Sequence, residues 1–163
     1  MSFRKIRIER ITAQRFAAFG RLIDLPRSGF PNPEKNLWKI IVRQPGAGWR
    51  IAVLVVRDRV IRRLERHPGS LESFEPVLGR SLLFVTVKKD PSGIRCFLLD
   101  KPVILKKGLW HGVVASTREA DIKITENSKV ICNYWKLGFE LGANKFERRF
   151  SRISATIRVK DNY

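Results

Sequence analysis

His67 and His111 are the two histidines of a 163-residue chain, so proton transfer near neutral pH would centre on them. His67 closes the stretch Val60-Ile61-Arg62-Arg63-Leu64-Glu65-Arg66-His67 and precedes Pro68. A following proline pushes a residue toward extended backbone. Side chains alternate along a strand, so Arg63, Glu65 and His67 share one face. A carboxylate two positions from an imidazole can tune its pKa and orientation. With Arg63 beside them, the trio can bind an anion and move a proton. Spacing alone favours a plainer reading, a surface strand with a solvated Glu–Arg pair and a histidine at a turn. His111 lies in Lys106-Lys107-Gly108-Leu109-Trp110-His111-Gly112. Gly108 and Gly112 permit tight turns or close ligand approach, and Trp110 offers a rigid apolar wall. The plainer reading here is a core tryptophan with a histidine at the rim.

Other chemistries are poorly supplied. His67 and His111 can join Glu65 or Glu72 around a metal, but a site needing three histidines is excluded. The chain has no HxH pair, no HExxH, no EF-hand loop, no GxxxxGK[ST], no GxGxxG and no GxSxG elbow. Cys96 and Cys132 lie in apolar runs and form no CxxC pair, which excludes a zinc knuckle and predicts two buried thiols acting as small hydrophobes. Trp38, Trp49, Trp110, Tyr134 and Trp135 have Arg and Lys nearby, as in single-strand nucleic-acid binders, yet they also suit an ordinary β core.

These side chains need strands to position them, and the sequence supplies candidates. Phe3 to Arg10 alternates as a half-apolar strand. Thr12 is a candidate N-cap for a helix through Phe19, with Gly20 placed to end it in the left-handed conformation. Pro26 to Pro33 reads as a loop. Short strands follow at 37–43, 50–57, 60–66, 74–77, 81–87, 93–99, 103–105, 113–115 and 130–135, separated by turn-like Pro, Gly, Asp and Ser clusters. This spacing predicts an antiparallel sandwich or barrel. The basic segment 146–160 reads as a last strand or an extension that packs on a partner subunit. The length suits a single domain, 1–163.

Charge is the unusual property. There are 33 Lys+Arg against 15 Asp+Glu, a formal net charge of +18. Such a field attracts polyanions such as nucleic acid or acidic lipid, or it is simply a solvated basic surface. The chain has no apolar run of transmembrane length, and its basic N-terminus lacks a signal core. Both features predict a cytoplasmic protein with no membrane partner.

Leu64-Glu65-Arg66-His67-Pro68, followed by Phe74, Pro76, Gly79 and the strand Ser81–Val87, resembles the central signature of ureidoglycolate lyases. Gly108-Leu109-Trp110-His111 is similar to that family's Gly-x-Trp-His motif. Phe16-Ala17-Ala18-Phe19-Gly20-Arg21-Leu22-Ile23 is similar to its opening segment. The resemblance spans roughly residues 10–115, and both histidines fall in its motifs. The chain departs from the pattern at Arg62 and Arg63, where the family usually carries acidic or histidine side chains, and at Gly112-Val113-Val114. From about Lys129 onward it matches poorly.

The resemblance implies an all-β, cupin-like antiparallel β-barrel (a jelly roll) with a short N-terminal helix, commonly a homodimer. It implies cleavage of (S)-ureidoglycolate to glyoxylate and urea, a carbon–nitrogen lyase reaction of allantoin and purine breakdown. That reaction needs a base for the hydroxyl proton, an acid for the departing nitrogen and a cation for the carboxylate. The expected catalytic residues are His67, His111 and Glu65. Arg63, Arg66 and Trp110 are the expected substrate contacts, although alternation forbids Arg63 and Arg66 from facing one cavity without a bulge. No metal or other cofactor is required by a retro-addition. Two other readings stay open: a non-catalytic basic cupin that binds a polyanion such as nucleic acid, and a cupin acting on a sugar acid.

Overall fold

The computed structural model describes residues 3–24, 41–42, 48–143 and 156–161. The elements are β1 (Phe3–Arg10), α1 (Ala13–Phe16), β2 (Gly20–Leu22), β3 (Trp49–Val56), β4 (Val60–Arg66), β5 (Glu72–Thr86), a 3-10 turn (Pro91–Gly93), β6 (Arg95–Leu98), β7 (Val103–Leu105), β8 (Trp110–Asn127), β9 (Asn133–Gly142) and β10 (Thr156–Asp161). The all-β class with one short helix is as expected. The strands form one sheet in the order β2-β7-β5-β6-β1-β10-β9-β4-β8-β3, with β5 also paired to β8. The sheet is mixed rather than purely antiparallel, because β1 runs parallel to β6 through Ile8↔Cys96 to Arg10↔Leu98. The expected strand 37–43, Trp38 and the loop 26–33 lie largely outside the described residues. Of the segment 146–160 only the backbone of β10 is described; it pairs with β1 and β9 of the same chain.

The helix begins as its sequence dictates. The Thr12 hydroxyl accepts a hydrogen bond from the Arg15 N–H, which satisfies one of the open donors of the first turn. It stops at Phe16, earlier than the expected Phe19, and Gly20 enters β2 without a left-handed step. Gly20 serves a different purpose. A Cβ there would lie 2.0 Å from the Ile104 carbonyl oxygen, so glycine lets β2 pair closely with β7.

The central pair is longer than the sequence pattern suggests. The expected strands at 74–77 and 81–87 are one 15-residue β5, and 113–115 is the start of an 18-residue β8. The two pair antiparallel from Glu72↔Glu126 to Thr86↔Trp110, with irregularities between Pro76 and Leu78 and between Gly79 and Ser81. Proline removes a ladder donor and glycine tolerates unusual dihedrals, so these residues mark a bend instead of an end. Gly79 has φ +71°.

Beyond the bend the strands are buried on both faces, which explains the continuous run Leu82-Leu83-Phe84-Val85. Leu83 and Val85 join Phe16, Phe19, Phe74, Phe97, Leu105 and Ile122 in one apolar cluster. Leu82 and Phe84 join Ile6, Ile8, Leu64, Cys96, Trp110 and Leu141 in the other. The outer strand β3 differs, since it pairs only with β8 among the described residues and leaves Trp49, Ile51 and Val53 exposed.

Gly79 is the test of the bend. An added Cβ would lie 2.2 Å from the Glu119 carbonyl oxygen, in a backbone conformation side chains rarely adopt. Gly79→Ala should destabilise the protein by at least about 1–2 kcal/mol from the left-handed conformation alone, measured by denaturant unfolding. An unchanged midpoint would show that the bend does not depend on glycine.

Candidate active site around a buried carboxylate

Three strands bring the polar cluster together. In β4, Glu65 pairs with His111 of β8 on one side and with Tyr134 of β9 on the other. Directly paired residues share a face, so Glu65, His111 and Tyr134 line one surface, and Arg63, Glu65 and His67 follow it by alternation. Glu72 opens β5, where it pairs with Leu105 of β7 and Glu126 of β8, and its side chain reaches the two imidazoles. Gly112 permits the close crossing of β4 over β8, for a Cβ there would lie 2.6 Å from Ile61 Cδ1 and 3.0 Å from Leu64 Cδ2.

Glu72 lies at the centre. It is 7% exposed, and its Oε2 lies 3.0 Å from His111 Nε2 and 3.3 Å from His67 Nε2. The two imidazoles are themselves buried, with ring centroids 5.2 Å apart, and Phe74 packs edge-on against His111. Burial pushes the Glu72 carboxyl up, but hydrogen-bonding and charge interactions with His111 and His67 outweigh it and hold the group down to about 2. The Glu72 contact raises the pKa of His67 against the opposing effect of burial.

The outward nitrogens are also occupied. The Leu109 carbonyl lies 3.0 Å from His111 Nδ1. A carbonyl only accepts, so Nδ1 carries a proton and donates it. His111 Nε2 and Glu72 Oε2 then face each other at 3.0 Å. His67 Nδ1 lies 3.4 Å from Cys132 Sγ. Cys132 is exposed and Cys96 is buried, both as free thiols. The expectation of two buried thiols therefore fails at Cys132, because Val130 and Ile131 are not core residues; Ile131 is 76% exposed in the link between β8 and β9.

The expected site residues separate into two sets. His67, His111 and Glu65 come together, with Glu65 Oε1 3.9 Å from His111 Nε2. Arg63 lies on the same face of β4, its guanidinium 4.8 Å from the Tyr134 ring centroid, and has no salt bridge among the described residues. Arg66 and Trp110 are on the other face. Trp110 packs in the second apolar cluster against Trp135, and Arg66 stacks over it at 4.7 Å. Alternation is the physical reason, since neighbours of His67 and His111 in sequence must point away from them. Glu72 appeared in the sequence only as a metal-ligand option, and nothing in its local pattern marks it as buried.

The cluster also suits a cation. His67, Glu72 and His111 each offer a donor atom within 4.8 Å of the others. Glu72 Oε2 and His111 Nε2 are buried without an aligned hydrogen-bond partner among the described residues. Two imidazoles and a carboxylate are a donor set that divalent metals accept.

No model of a known protein family matches the chain. The sequence is similar to curated ureidoglycolate lyases. It is 28% identical over 135 residues to that of Pseudomonas aeruginosa, covering 72% of this chain and 80% of the relative. It is 27% identical to that of Stutzerimonas stutzeri, covering 72% and 79%. Among solved structures, it aligns with Bacillus subtilis oxalate decarboxylase at 16% identity and a TM-score of 0.43, over 56% of this chain. The chain spans about a quarter of that structure's length, 24%.

The buried charges set a pH signature. Ionised Glu72, lowered from 4.5 to about 2, stabilises the fold above about pH 4.5, and this is lost as pH falls toward 2. Protonated His67, raised from 6.5, stabilises it below pH 6.5, and this is lost as pH rises through the folded value. The Tm difference between wild type and Glu72→Gln should therefore peak between about pH 4.5 and 6.5 and shrink on either side. A difference that stays the same well below pH 4.5 and well above pH 6.5 would show that the carboxylate is not coupled to the histidines.

Proposed function

We propose that the protein is a carbon–nitrogen lyase that cleaves (S)-ureidoglycolate, or a closely related small ureido or hydroxy acid, releasing glyoxylate and urea. The observation that carries this reading is the convergence of His67, Glu72 and His111 on a face that also presents Glu65 and the cation Arg63, which has no salt bridge among the described residues. Similarity to curated ureidoglycolate lyases supports it.

The chemistry divides among these groups. The substrate hydroxyl gives its proton to Glu65, an acceptor-only carboxylate at the open side of the cluster. As the carbon–oxygen double bond forms, the carbon–nitrogen bond breaks and its electron pair leaves with nitrogen. His67, kept protonated by Glu72, gives its proton to that nitrogen. Glu72 acts by orienting both imidazoles and stabilising the charged form of His67, the part a buried carboxylate plays beside a catalytic histidine. Arg63 binds the substrate carboxylate; a guanidinium matches it through two parallel hydrogen bonds. The Arg63 side chain is steadied by stacking on Tyr134. A divalent cation, were His67, Glu72 and His111 to hold one in place of the imidazole proton, would supply Lewis-acid polarisation of substrate oxygens, and His67 would then not serve as the acid.

The test is release of glyoxylate and urea from (S)-ureidoglycolate by purified protein. His67→Ala and Glu65→Gln should each lower kcat about 10²–10⁴-fold, while Arg63→Ala should act chiefly by raising KM. Absence of product with wild type, or full turnover by His67→Ala, would refute the assignment.

A further inference from the structure

His67 faces two clusters through opposite ring nitrogens. Its Nε2 points to the buried pair Glu72 and His111. Its Nδ1 points to Cys132, with the Glu65 carboxylate also in reach: Glu65, His67 and Cys132 offer donor atoms all within 4.8 Å of one another. This outer trio has a different chemistry from the inner one, because it contains a thiol. It is also accessible, since the Glu65 side chain is 40% exposed and Cys132 is exposed.

We propose that Glu65, His67 and Cys132 form a binding site for a thiophilic divalent cation of the zinc class, on the solvent side of the histidine cluster, where a bound ion withdraws Glu65 and His67 from the proton transfers assigned above and so inhibits them. Sulfur, nitrogen and oxygen donors in this combination select borderline-soft ions, and three protein ligands are the number that open zinc sites supply. With zinc–ligand bonds of about 2.0–2.3 Å, tetrahedral donors stand roughly 3.3–3.8 Å apart. The 3.4 Å between His67 Nδ1 and Cys132 Sγ already falls in that span, and Glu65 closes the remaining gap by rotation of an exposed side chain. The arrangement brings two acidic donors to one imidazole with no salt bridge to a Lys or Arg for either among the described residues. Binding forms a metal–sulfur bond and releases the thiol proton to solvent, with no change in oxidation state.

Cobalt(II), a spectroscopic stand-in for zinc, tests this on the full chain with its thiols kept reduced. Titration should produce a thiolate-to-cobalt charge-transfer band at one ion per chain, and zinc should abolish it by displacement. Cys132→Ser, a change at an exposed position, should remove the band. It should also weaken binding beyond the roughly 10–100-fold that losing an outer-shell partner costs. Glu65→Gln should weaken binding and keep the band. Absence of binding by wild type, or cobalt bound without the sulfur band, would overturn the proposal. In the latter case the ion sits on His67, Glu72 and His111. A band that persists in Cys132→Ser would also overturn it, by placing the metal on Cys96. These readouts do not depend on turnover of any substrate, so they stand or fall separately from the lyase assignment.

Discussion

A carboxylate removed from water either loses its charge or gains partners, and Glu72 has gained two. Desolvation of such an ion costs several kcal/mol (about that order) before compensation, and two imidazoles from different strands supply it. That requirement is strict about geometry. β4, β5 and β8 must arrive together to within tenths of an ångström for His67 and His111 to flank one oxygen. The long β5–β8 ladder, the bend at Gly79 and the missing side chain at Gly112 are the means by which the backbone meets it.

The two apolar clusters serve the same end. Leu82 and Phe84 pin β5 from one side and Leu83 and Val85 from the other, so the strand that begins with Glu72 cannot rotate or slip by a residue. A slip of one position would exchange the faces of every side chain beyond it. Surface charge plays a smaller part. Glu9, Glu75, Glu119, Glu126, Glu140 and Asp100 are each paired with an Arg or Lys. With the carboxylates so engaged, the excess of +18 leaves cations such as Arg63 and Lys136 without an acidic partner among the described residues, on the face that the site occupies.

Much of this was readable in advance, for identifiable reasons. β4 and β7 fall where the pattern places them, because period-two alternation and flanking turn residues speak directly to strands. Alternation also groups Arg63, Glu65 and His67, and it could have removed Trp110 and Arg66 from the site, since each adjoins a histidine in sequence. β5 and β8 were harder: proline and glycine signal an ending in sequence, while in space they bend a strand that continues. Glu72 was illegible because its burial depends on residues 39 positions away, at His111. Cys132 misled because apolar neighbours imply a core only when the chain there is packed, and at Ile131 it is not.

The two-sided engagement of His67 carries a consequence for how protons travel. One nitrogen meets a buried carboxylate and the other meets a thiol that solvent reaches. The ring therefore stands as a wall with a contact on each side. Charge can enter at Nδ1 from bulk water and leave at Nε2 toward the interior without the imidazole turning over. The buried cluster thus has, through one residue, a route to the outside by which its acid–base state can be reset between encounters.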